Sequence, residues 1–356
     1  MPQAPLAPQL LALATQEAPF AASQESIEAA ALKIFSTAQF DTQALRQVFA
    51  NAGVERRTLA QPLESYLDLD GFAKRAKVFN AVAHDLLLSA GRRVLNPELA
   101  AQVTHVVSVC SSGISTPSLE CFLIDELGLP PSIQRLPLFG LGCAGGVAGL
   151  QVATDLARSS PDALVLCLCV ELTSLTLFSS DQSPRNFVAC ALFGDGAAAA
   201  LIGQPRAGVE GLADLGRSLN HTFPDTQDLM GWEILDEGWQ VVFSQRIPSF
   251  VQREVGPVLR RLVDPEAMTH LALHPGGARV LDAYRSALSI EDERLEHSTR
   301  VLAEHGNMSA ATVFYVLEKI LNESRRGPGL AMAVGPGFTA GLLEFEALGK
   351  DRPCEI

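Results

Sequence analysis

Hydrophobic and polar residues alternate in two different ways along this chain. In the first 90 residues, apolar positions recur every three to four residues, as in SQESIEAAALKIF and YLDLDGFAKRAKVFNAVAHDLLLS. This spacing predicts helices within residues 22–50 and 66–89. From residue 104 onwards, short apolar runs such as THVVSVC, RLPLFGLG and ALVLCLCVE alternate with helical stretches such as CAGGVAGLQVATDLARSS. Such alternation predicts an α/β layered fold with buried sheets.

The same patterns predict elements in the rest of the chain. SLECFLIDELGL, VQREVGPVLRRLV and GARVLDAYRSAL have helical spacing, whereas THLALH is a short strand before a turn. Residues 191–203 predict two strands around Gly-Asp-Gly, and residues 330–346 predict two strands around Gly-Pro-Gly. Because these two segments occupy matching places, we predict a duplication with similar halves at residues 1–205 and 206–356.

Composition excludes several classes of protein. The chain has 356 residues, of which 47% are hydrophobic and 19% are charged, so it can bury a large core. A net charge of −13 without a basic run argues against a nucleic-acid partner. No apolar run approaches the roughly 18 residues of a membrane helix. Seven cysteines without a CxxC pair, and no signal-peptide pattern, predict free thiols and a cytoplasmic location.

The stretch FGLGCAGGVAG, residues 139–149, allows three interpretations. Three of its glycines fit the G-x-G-x-x-G pattern of a dinucleotide-binding turn, with Glu171 at the end of the next strand as a ribose ligand. Alternatively, Cys143 is a nucleophile, because the first turn of a helix stabilises its thiolate and lowers the thiol pKa. A small buried cysteine without chemistry is the third interpretation. The stretch alone does not decide among them.

A nucleophilic cysteine needs partners elsewhere in the chain. Among seven histidines, His274 stands out because it ends the predicted strand THLALH, at the edge where α/β sites form. His270 lies four residues earlier, but with no third ligand nearby the pair does not predict a metal site. Asn307, in HGNMSAA, supplies an amide; its alternative role is the N-cap of the following helix.

Taken in order, these motifs resemble the type III polyketide synthases, the chalcone synthase-like branch of the thiolase-fold condensing enzymes. The resemblance runs from PQLLALATQ (residues 8–16) to GPGFTAGLLEFEAL and includes GCAGG, ALFGDGAAAALI, HPGG, GNMSAA and GPGF. A dinucleotide-binding domain explains none of the last four motifs. The resemblance implies a duplicated thiolase fold, an αβαβα layered sandwich of two similar halves with mixed sheets. The cysteine lies in the first half, and the histidine and asparagine lie in the second.

The resemblance also implies roles for individual residues. Cys143 would carry the acyl group, while His274 would keep it ionised and, with Asn307, hold the thioester carbonyl of malonyl-CoA. Phe193 matches the family's gatekeeper phenylalanine between the CoA tunnel and the cavity. Positions that line the initiation and elongation cavity fall on Ser112, Glu171, Thr173, Thr176 and Ser309.

Three positions depart from the family pattern. The second gatekeeper phenylalanine falls on Val241, with Phe243 two residues away. The closing loop has Ala-Val before its Gly-Pro-Gly instead of Gly-Phe, and Thr116 replaces a methionine that often crosses the dimer interface. These departures leave the starter and the product open. The segment LFGLGCAGG resembles the corresponding segment of bacterial family members, including those that make alkylresorcinols and alkylpyrones from fatty acyl starters.

The implied reaction is iterative decarboxylative Claisen condensation of malonyl-CoA onto an acyl-CoA starter, followed by cyclisation to a pyrone, a resorcinol or a related aromatic. CoA thioesters are then substrates, no metal or redox cofactor is needed, and a homodimer is implied. Arg56 and Arg57 are candidates for the CoA phosphates or, alternatively, solvated surface residues. The alternative functions are a single condensation of the ketoacyl synthase III type and a silent paralogue that binds acyl-CoA.

Overall fold

A computed structural model describes residues 7–35, 42–69, 71–206, 208–236, 238–349, 354 and 356 of the chain. Within these residues, the strands are β1 (Gln9–Glu17), β2 (Phe20–Ser23), β3 (Arg56–Leu59), β4 (His105–Val109), β5 (Gln134–Leu138), β6 (Leu164–Leu172), β7 (Asp195–Gly203), β8 (Ala213–Thr222), β9 (Met230–Ile234), β10 (Trp239–Phe243), β11 (His270–Leu273), β12 (Gly327–Gly335) and β13 (Thr339–Ala347). The helices are α1 (Gln24–Ile34), α2 (Thr42–Ala50), α3 (Phe72–Val94), α4 (Pro97–Ala100), α5 (Gly145–Ser159), α6 (Pro184–Leu192), α7 (Ile247–Phe250), α8 (Gly256–Leu262), α9 (Ala278–Leu288), α10 (Glu296–His305) and α11 (Thr312–Asn322).

Nine of these strands form one mixed sheet in the order β11-β12-β13-β8-β1-β7-β6-β4-β5. In the first half, β4 is parallel to β6, β6 is antiparallel to β7, and β7 is antiparallel to β1. In the second half, β11, β12, β13 and β8 repeat these relations in the same order. The halves meet where Gln9 and Leu10 of β1 pair with β8. The predicted boundary at 205/206 lies between β7 and β8.

Alternate side chains of each central strand belong to different hydrophobic cores, as the two-residue period of a strand requires. In β6, Val165 and Cys167 pack into the middle core, whereas Leu166 and Leu168 pack into the outer core beneath α3. Helices α5 and α11 lie in the middle core, between strands of both halves. Helices α8, α9 and α10 pack against the opposite outer face. The layers are therefore αβαβα, as predicted.

The predicted helices of the first 90 residues are confirmed as α1, α2 and α3. No helix in the described part of the chain has both the length and the apolar character needed to cross a membrane. The last predicted strand pair is also confirmed, because β12 and β13 pair antiparallel around the turn at Pro336 and Gly337.

Two predicted elements are wrong. Residues 191–203 contain the end of α6 and the single strand β7 rather than two strands. Short apolar runs do not distinguish a buried helix from a buried strand, and the antiparallel partners of β7 are β6 and β1. SLECFLIDELGL contains a short 3₁₀ turn, Leu119–Phe122, instead of a helix. There, Glu120 is buried and accepts a hydrogen bond from Ser108 at 2.6 Å, so no amphipathic face forms.

Candidate active site

Cys143 lies where a loop enters the central helix layer. The 3₁₀ turn Gly142–Ala144 leads directly into α5. A Cβ on Gly142 would lie 2.6 Å from Pro336, and one on Gly146 would lie 2.1 Å from the carbonyl oxygen of Ala310. These glycines therefore let the second half of the chain approach the cysteine. Two of the three G-x-G-x-x-G glycines, Gly142 and Gly145, face protein atoms, since a Cβ on Gly145 would lie 2.9 Å from the Val109 side chain, so this turn does not form a phosphate cradle.

The backbone next to Phe193 holds Asn307 beside Cys143. The amide nitrogen of Asn307 donates to the Leu192 carbonyl at 2.8 Å, and the Asn307 carbonyl accepts from the Gly194 nitrogen at 3.0 Å. The Sγ atom of Cys143 lies 4.0 Å from Oδ1 of Asn307. Helix α11 begins only at Thr312, so Asn307 is not its N-cap. The structure thus joins the two predicted residues from opposite halves of the chain.

The side-chain amide of Asn307 is oriented by two further contacts. Its Oδ1 accepts from the backbone nitrogen of Ser309 at 2.8 Å, and its Nδ2 donates to the carbonyl of Gly276 at 3.2 Å. Because the Ser309 N–H donates to Oδ1, the amide group of Asn307 is held in one orientation, with Nδ2 as its hydrogen-bond donor. Gly276 follows His274 by two residues, so the same short segment carries both groups.

His274 follows β11 and is 1% exposed. Its backbone nitrogen donates to the Met332 carbonyl at 2.8 Å, which continues the pairing of β11 with β12. Within the described residues, neither ring nitrogen has a hydrogen-bond partner. Buried polar atoms are ordinarily paired, so an imidazole without a protein partner is suited to bind a substrate atom.

Burial away from water is the main cause of the pKa shifts of both Cys143 and His274. It raises the pKa of the Cys143 thiol to about 12 and lowers the pKa of the His274 imidazole to about 3. Hydrogen bonds with Ser309 and Asn307 act on the thiol in the opposite direction. The thiol pKa is therefore raised, whereas its position at the start of a helix predicts a lowered one, because desolvation outweighs the helix dipole.

Cys143 opens into a space of about 400 Å³, including its part open to solvent, which we call the catalytic cavity. It receives residues from both halves, including Asn307 and Pro336. Among the described residues, no group of His, Cys, Asp or Glu side chains could hold a metal ion, and all seven cysteines are free thiols. A cavity lined by a thiol and an amide is suited to acyl transfer.

Two family matches cover most of the chain. Residues 70–205 match "Chalcone and stilbene synthases, N-terminal domain" and residues 214–348 match the corresponding C-terminal domain. The chain belongs to the type III polyketide synthases. It is therefore a condensing acyltransferase that forms carbon–carbon bonds, in a family that uses CoA thioesters, and the predicted family and function are confirmed.

Individual relatives agree with this assignment. The chain is 32% identical to "Putative chalcone synthase" of Bacillus subtilis (strain 168), over 94% of this chain and 98% of that protein. It is 38% identical to a 1,3,6,8-tetrahydroxynaphthalene synthase of Streptomyces peucetius subsp. caesius, over 84% and 82%. The crystal structure of the Streptomyces coelicolor A3(2) tetrahydroxynaphthalene synthase superposes with a TM-score of 0.89 at 26% identity, over 96% of this chain and 99% of that one. The predicted thiolase-like fold is confirmed.

Four of the predicted cavity residues line the catalytic cavity of this polyketide synthase: Thr173, Phe193, Val241 and Ser309. Phe243 lines it as well, so both positions considered for the second gatekeeper face the same space. The Thr173 hydroxyl donates to the carbonyl of Gly194 at 2.6 Å, which helps to fix the backbone next to Phe193.

Ser112, Thr176 and Glu171 lie outside the wall of the catalytic cavity. Ser112 and Thr176 line a neighbouring pocket of about 330 Å³. Glu171 is fully buried and accepts from the backbone nitrogen of Ser111 at 3.2 Å. Burial raises the pKa of this carboxyl to about 7. Its charge also raises the pKa of Cys143, so Glu171 influences the reactive thiol through space.

The structure contradicts both interpretations of Arg57. The residue is 1% exposed, and its guanidinium donates to the carbonyls of Cys190, Ala191 and Phe193 at 3.0, 2.9 and 2.8 Å. Arg57 is therefore neither a solvated surface residue nor open to a phosphate, because it supports the backbone of Phe193. Arg56 is half-exposed and pairs with Glu17 at 2.6 Å.

Sequence reasoning missed Trp232, which lines the catalytic cavity on the β9–β10 hairpin. Its ring lies 6.0 Å from that of Phe193, centroid to centroid, in an edge-to-face contact. The apolar–polar alternation in MGWEI and WQVVF is the signal that could have revealed this hairpin. That Trp232 lines the same cavity as Cys143 depends on tertiary packing and has no local signal.

Proposed function

We propose that this polyketide synthase loads an acyl group from acyl-CoA onto Cys143, extends it with malonyl-CoA and cyclises the product. The observation that carries the proposal is the approach of the Cys143 sulfur to within 4.0 Å of the Asn307 amide, within a cavity that both halves form. The acyl carrier and the group that binds the extender are then close enough to react in one cavity.

Loading is an exchange of one thioester for another. The Cys143 proton passes to the His274 imidazole as the sulfur attacks the acyl-CoA carbonyl, so charge forms only as the bond forms. The CoA thiolate leaves and recovers a proton from the imidazolium. The raised thiol pKa and lowered imidazole pKa leave both groups uncharged in the resting site. The proposal therefore replaces the resting thiolate that the resemblance implied with proton transfer during the attack.

Extension places negative charge on the thioester oxygen of malonyl-CoA. In the proposed complex that oxygen accepts hydrogen bonds from His274 and from Nδ2 of Asn307. Loss of carbon dioxide leaves an enolate, whose charge these fixed donors stabilise. The enolate carbon attacks the Cys143 thioester, and the sulfur leaves as thiolate. An amide suits this role because it donates a hydrogen bond without titrating.

We propose a small starter rather than a long fatty acyl group. The catalytic cavity holds about 400 Å³, and Phe193 and Trp232 form an aromatic wall that limits it. The chain resembles several proteins named 1,3,6,8-tetrahydroxynaphthalene synthase, which supports cyclisation to an aromatic or pyrone product within this cavity.

We also propose that the enzyme is a cytoplasmic homodimer. Use of CoA thioesters and seven free thiols support the cytoplasm. Exposed apolar side chains at Ile114, Phe122 and Phe139 support a covered surface. Light scattering of the purified chain should give twice the mass of 38.0 kDa, and a monomer at micromolar concentration contradicts the dimer.

The function is tested by incubation with malonyl-CoA and a panel of acyl-CoA starters, with products identified by mass spectrometry. The proposal predicts cyclised products that contain two or more malonyl-derived units. A single condensation that requires malonyl-carrier protein supports a ketoacyl synthase III reaction instead. Absence of both product and acyl-enzyme supports the silent paralogue.

A further inference from the structure

Two consecutive arginines of β3 each bind the carboxyl-terminal end of a helix. The guanidinium of Arg57 donates to the carbonyls of Cys190 and Ala191, in the last turn of α6, at 3.0 and 2.9 Å. Nε of Arg56 donates to the carbonyl of Glu304, in the last turn of α10, at 3.1 Å. A cation is favoured at this end of a helix, and each half of the chain supplies one of the two helices.

The residues that follow these two helices line the catalytic cavity. Phe193 comes directly after α6, and Asn307 is the second residue after α10. The two residues form a parallel β-bridge, which contains the backbone hydrogen bonds described above. Arg57 also donates to the carbonyl of Phe193 at 2.8 Å. One guanidinium therefore binds both the end of α6 and a residue of the bridge that holds Asn307.

Two glycines beside this bridge let Arg57 approach both of its strands. A Cβ on Gly194 would lie 3.2 Å from Cβ of Arg57 and 2.2 Å from the carbonyl oxygen of His305. A Cβ on Gly306, whose φ is +68°, would lie 2.8 Å from the Leu192 carbonyl oxygen and 3.7 Å from Cβ of Arg57. Three segments of the chain therefore pack closely at one point, and Arg57 is common to their contacts.

The buried charge of Arg57 makes its contacts strong. The residue is 1% exposed, and burial lowers the pKa of its guanidinium to about 10, so the group stays charged at neutral pH. Hydrogen bonds from a charged donor are stronger than neutral ones, and their loss would leave buried carbonyls unpaired. Arg56 is half-exposed and pairs with Glu17, so its contribution is smaller.

We propose that Arg57 is a positioning residue for decarboxylation, because it fixes the bridge between Phe193 and Asn307 and thereby the direction in which Nδ2 of Asn307 points. The inference rests on the proposed function, in which that nitrogen binds the thioester oxygen of malonyl-CoA. Arg57 itself does not line the catalytic cavity, so it acts through the bridge. Loading should depend on it much less, since Cys143 lies on a separate segment, the turn before α5.

A double-mutant cycle tests whether Arg57 acts through Asn307. Arg57→Met keeps the length of the side chain and removes its donors. This variant should release carbon dioxide from labelled malonyl-CoA about 30-fold more slowly than the wild type, with acylation of Cys143 within about threefold. In an Asn307→Ala background the same change should cost less than about threefold, because no amide remains to be misplaced. A further loss of about 30-fold in that background overturns the inference.

Arg75→Met is the matched control. Arg75 is also a buried arginine, and its guanidinium donates to the carbonyls of Leu175 and Leu177 at 3.1 and 2.6 Å. Its loss therefore removes the same kind of contact at a different place. Its effect on carbon dioxide release should be equal with and without the Asn307 amide. A coupling between Arg75 and Asn307 as large as that of Arg57 overturns the specific role of Arg57.

Arg57→Lys is the conservative variant. It keeps the positive charge, but an ammonium group lacks the planar fork that lets Arg57 bind three carbonyls at once. Carbon dioxide release should fall about fivefold, between the rates of the wild type and of Arg57→Met. If Arg57→Met does not fold, Arg57→Lys takes its place in the cycle. Release at the wild-type rate by Arg57→Lys and Arg57→Met overturns the inference.

Hydrogen exchange provides a readout without catalysis, because the N–H groups of Asn307 and Gly194 both donate within the bridge. In Arg57→Lys, peptides that cover residues 190–195 and 305–309 should exchange at least 10-fold faster than in the wild type, whereas peptides of β6 should not change. Unchanged exchange at 305–309 overturns the inference. Faster exchange there, in a protein whose wild type releases no carbon dioxide, upholds the positioning of Asn307 by Arg57 and contradicts the proposed function.

Discussion

The catalytic cavity differs from a larger pocket beside it, of about 1140 Å³ including its part open to solvent, in volume and in the charge of the lining residues, although Phe243 lines both. Around Cys143 the loss of water favours uncharged groups, raising the thiol pKa and lowering that of His274. The larger pocket is lined by two exposed arginines, Arg185 and Arg279. The comparison indicates that the groups beside Cys143 are uncharged at rest, so that in the proposed mechanism charge is stabilised only in the transition state.

The largest effect on activity is expected from Cys143→Ala in the catalytic cavity. Chain extension should fall by at least ~10³-fold, because no sulfur is left to carry the acyl group. Decarboxylation of malonyl-CoA to acetyl-CoA should persist, since in the proposed mechanism it depends on His274 and Asn307. Cys121→Ala is the matched control, and labelled malonyl-CoA measures both reactions. Full-length product from Cys143→Ala would contradict the mechanism.

A second variant separates loading from decarboxylation. Asn307→Asp keeps an oxygen for the Ser309 nitrogen but removes the Nδ2 donor. Decarboxylation should slow by roughly 100- to 1000-fold, the usual effect of losing one oxyanion donor. Acylation of Cys143, followed by intact mass, should remain. Normal release of carbon dioxide from this variant would show that the enolate is stabilised elsewhere.

A change in the cavity wall should alter specificity more than rate. Trp232→Ala removes the ring that packs against Phe193, so the cavity gains room for longer starters. The ratio of kcat/KM for octanoyl-CoA to that for acetyl-CoA should rise about 10-fold. Trp232→Phe, which keeps an aromatic ring, should give a smaller change. An unchanged ratio in both variants means that another residue limits the cavity.

The smallest expected effect is on the free energy of unfolding, and it tests whether Glu171 is shielded from water. Burial raises the pKa of Glu171 from its usual range to about 7, so the carboxyl is neutral in the folded protein at low pH. Its contribution to stability is complete below the pKa of the unfolded chain and is lost as pH rises through 7. From pH 5 to 8.5, the free energy of unfolding of the wild type should therefore decrease more than that of Glu171→Gln.

The difference between the two proteins should be on the order of 2 kcal/mol, measured by urea unfolding at each pH. Glu25→Gln, a change at an exposed glutamate of α1, serves as the control. Identical pH dependence for wild type and Glu171→Gln would show that the Glu171 carboxyl is solvated in the folded protein.

Much of the fold was predictable because its periodicities are strong. The long helix α3 and the hairpin β12–β13 have patterns that a local argument identifies. The segment at 191–203 was mispredicted because its short apolar runs suit either a helix end or a strand. Only the tertiary pairing of β7 with β6 and β1 decides between them.

The candidate site shows the same limit. Cys143, His274 and Asn307 stand in motifs with distinctive neighbours, so their chemistry could be predicted from the sequence. The roles of Arg57 and Trp232 could not, because each depends on contacts with residues more than 35 positions away, such as the Phe193 backbone and ring. Arg185 and Arg279 also lie far apart in the chain and line one pocket only in the folded protein.

The most direct test of the account is the mass of the enzyme after it meets its two substrates in turn. Intact-mass and peptide analysis after an acyl-CoA pulse should locate the acyl group on Cys143. A chase with ¹³C-labelled malonyl-CoA should convert that adduct into cyclised product carrying both the starter and labelled two-carbon units. An acyl group found on another residue, or an adduct on Cys143 that the chase leaves in place, would contradict the account.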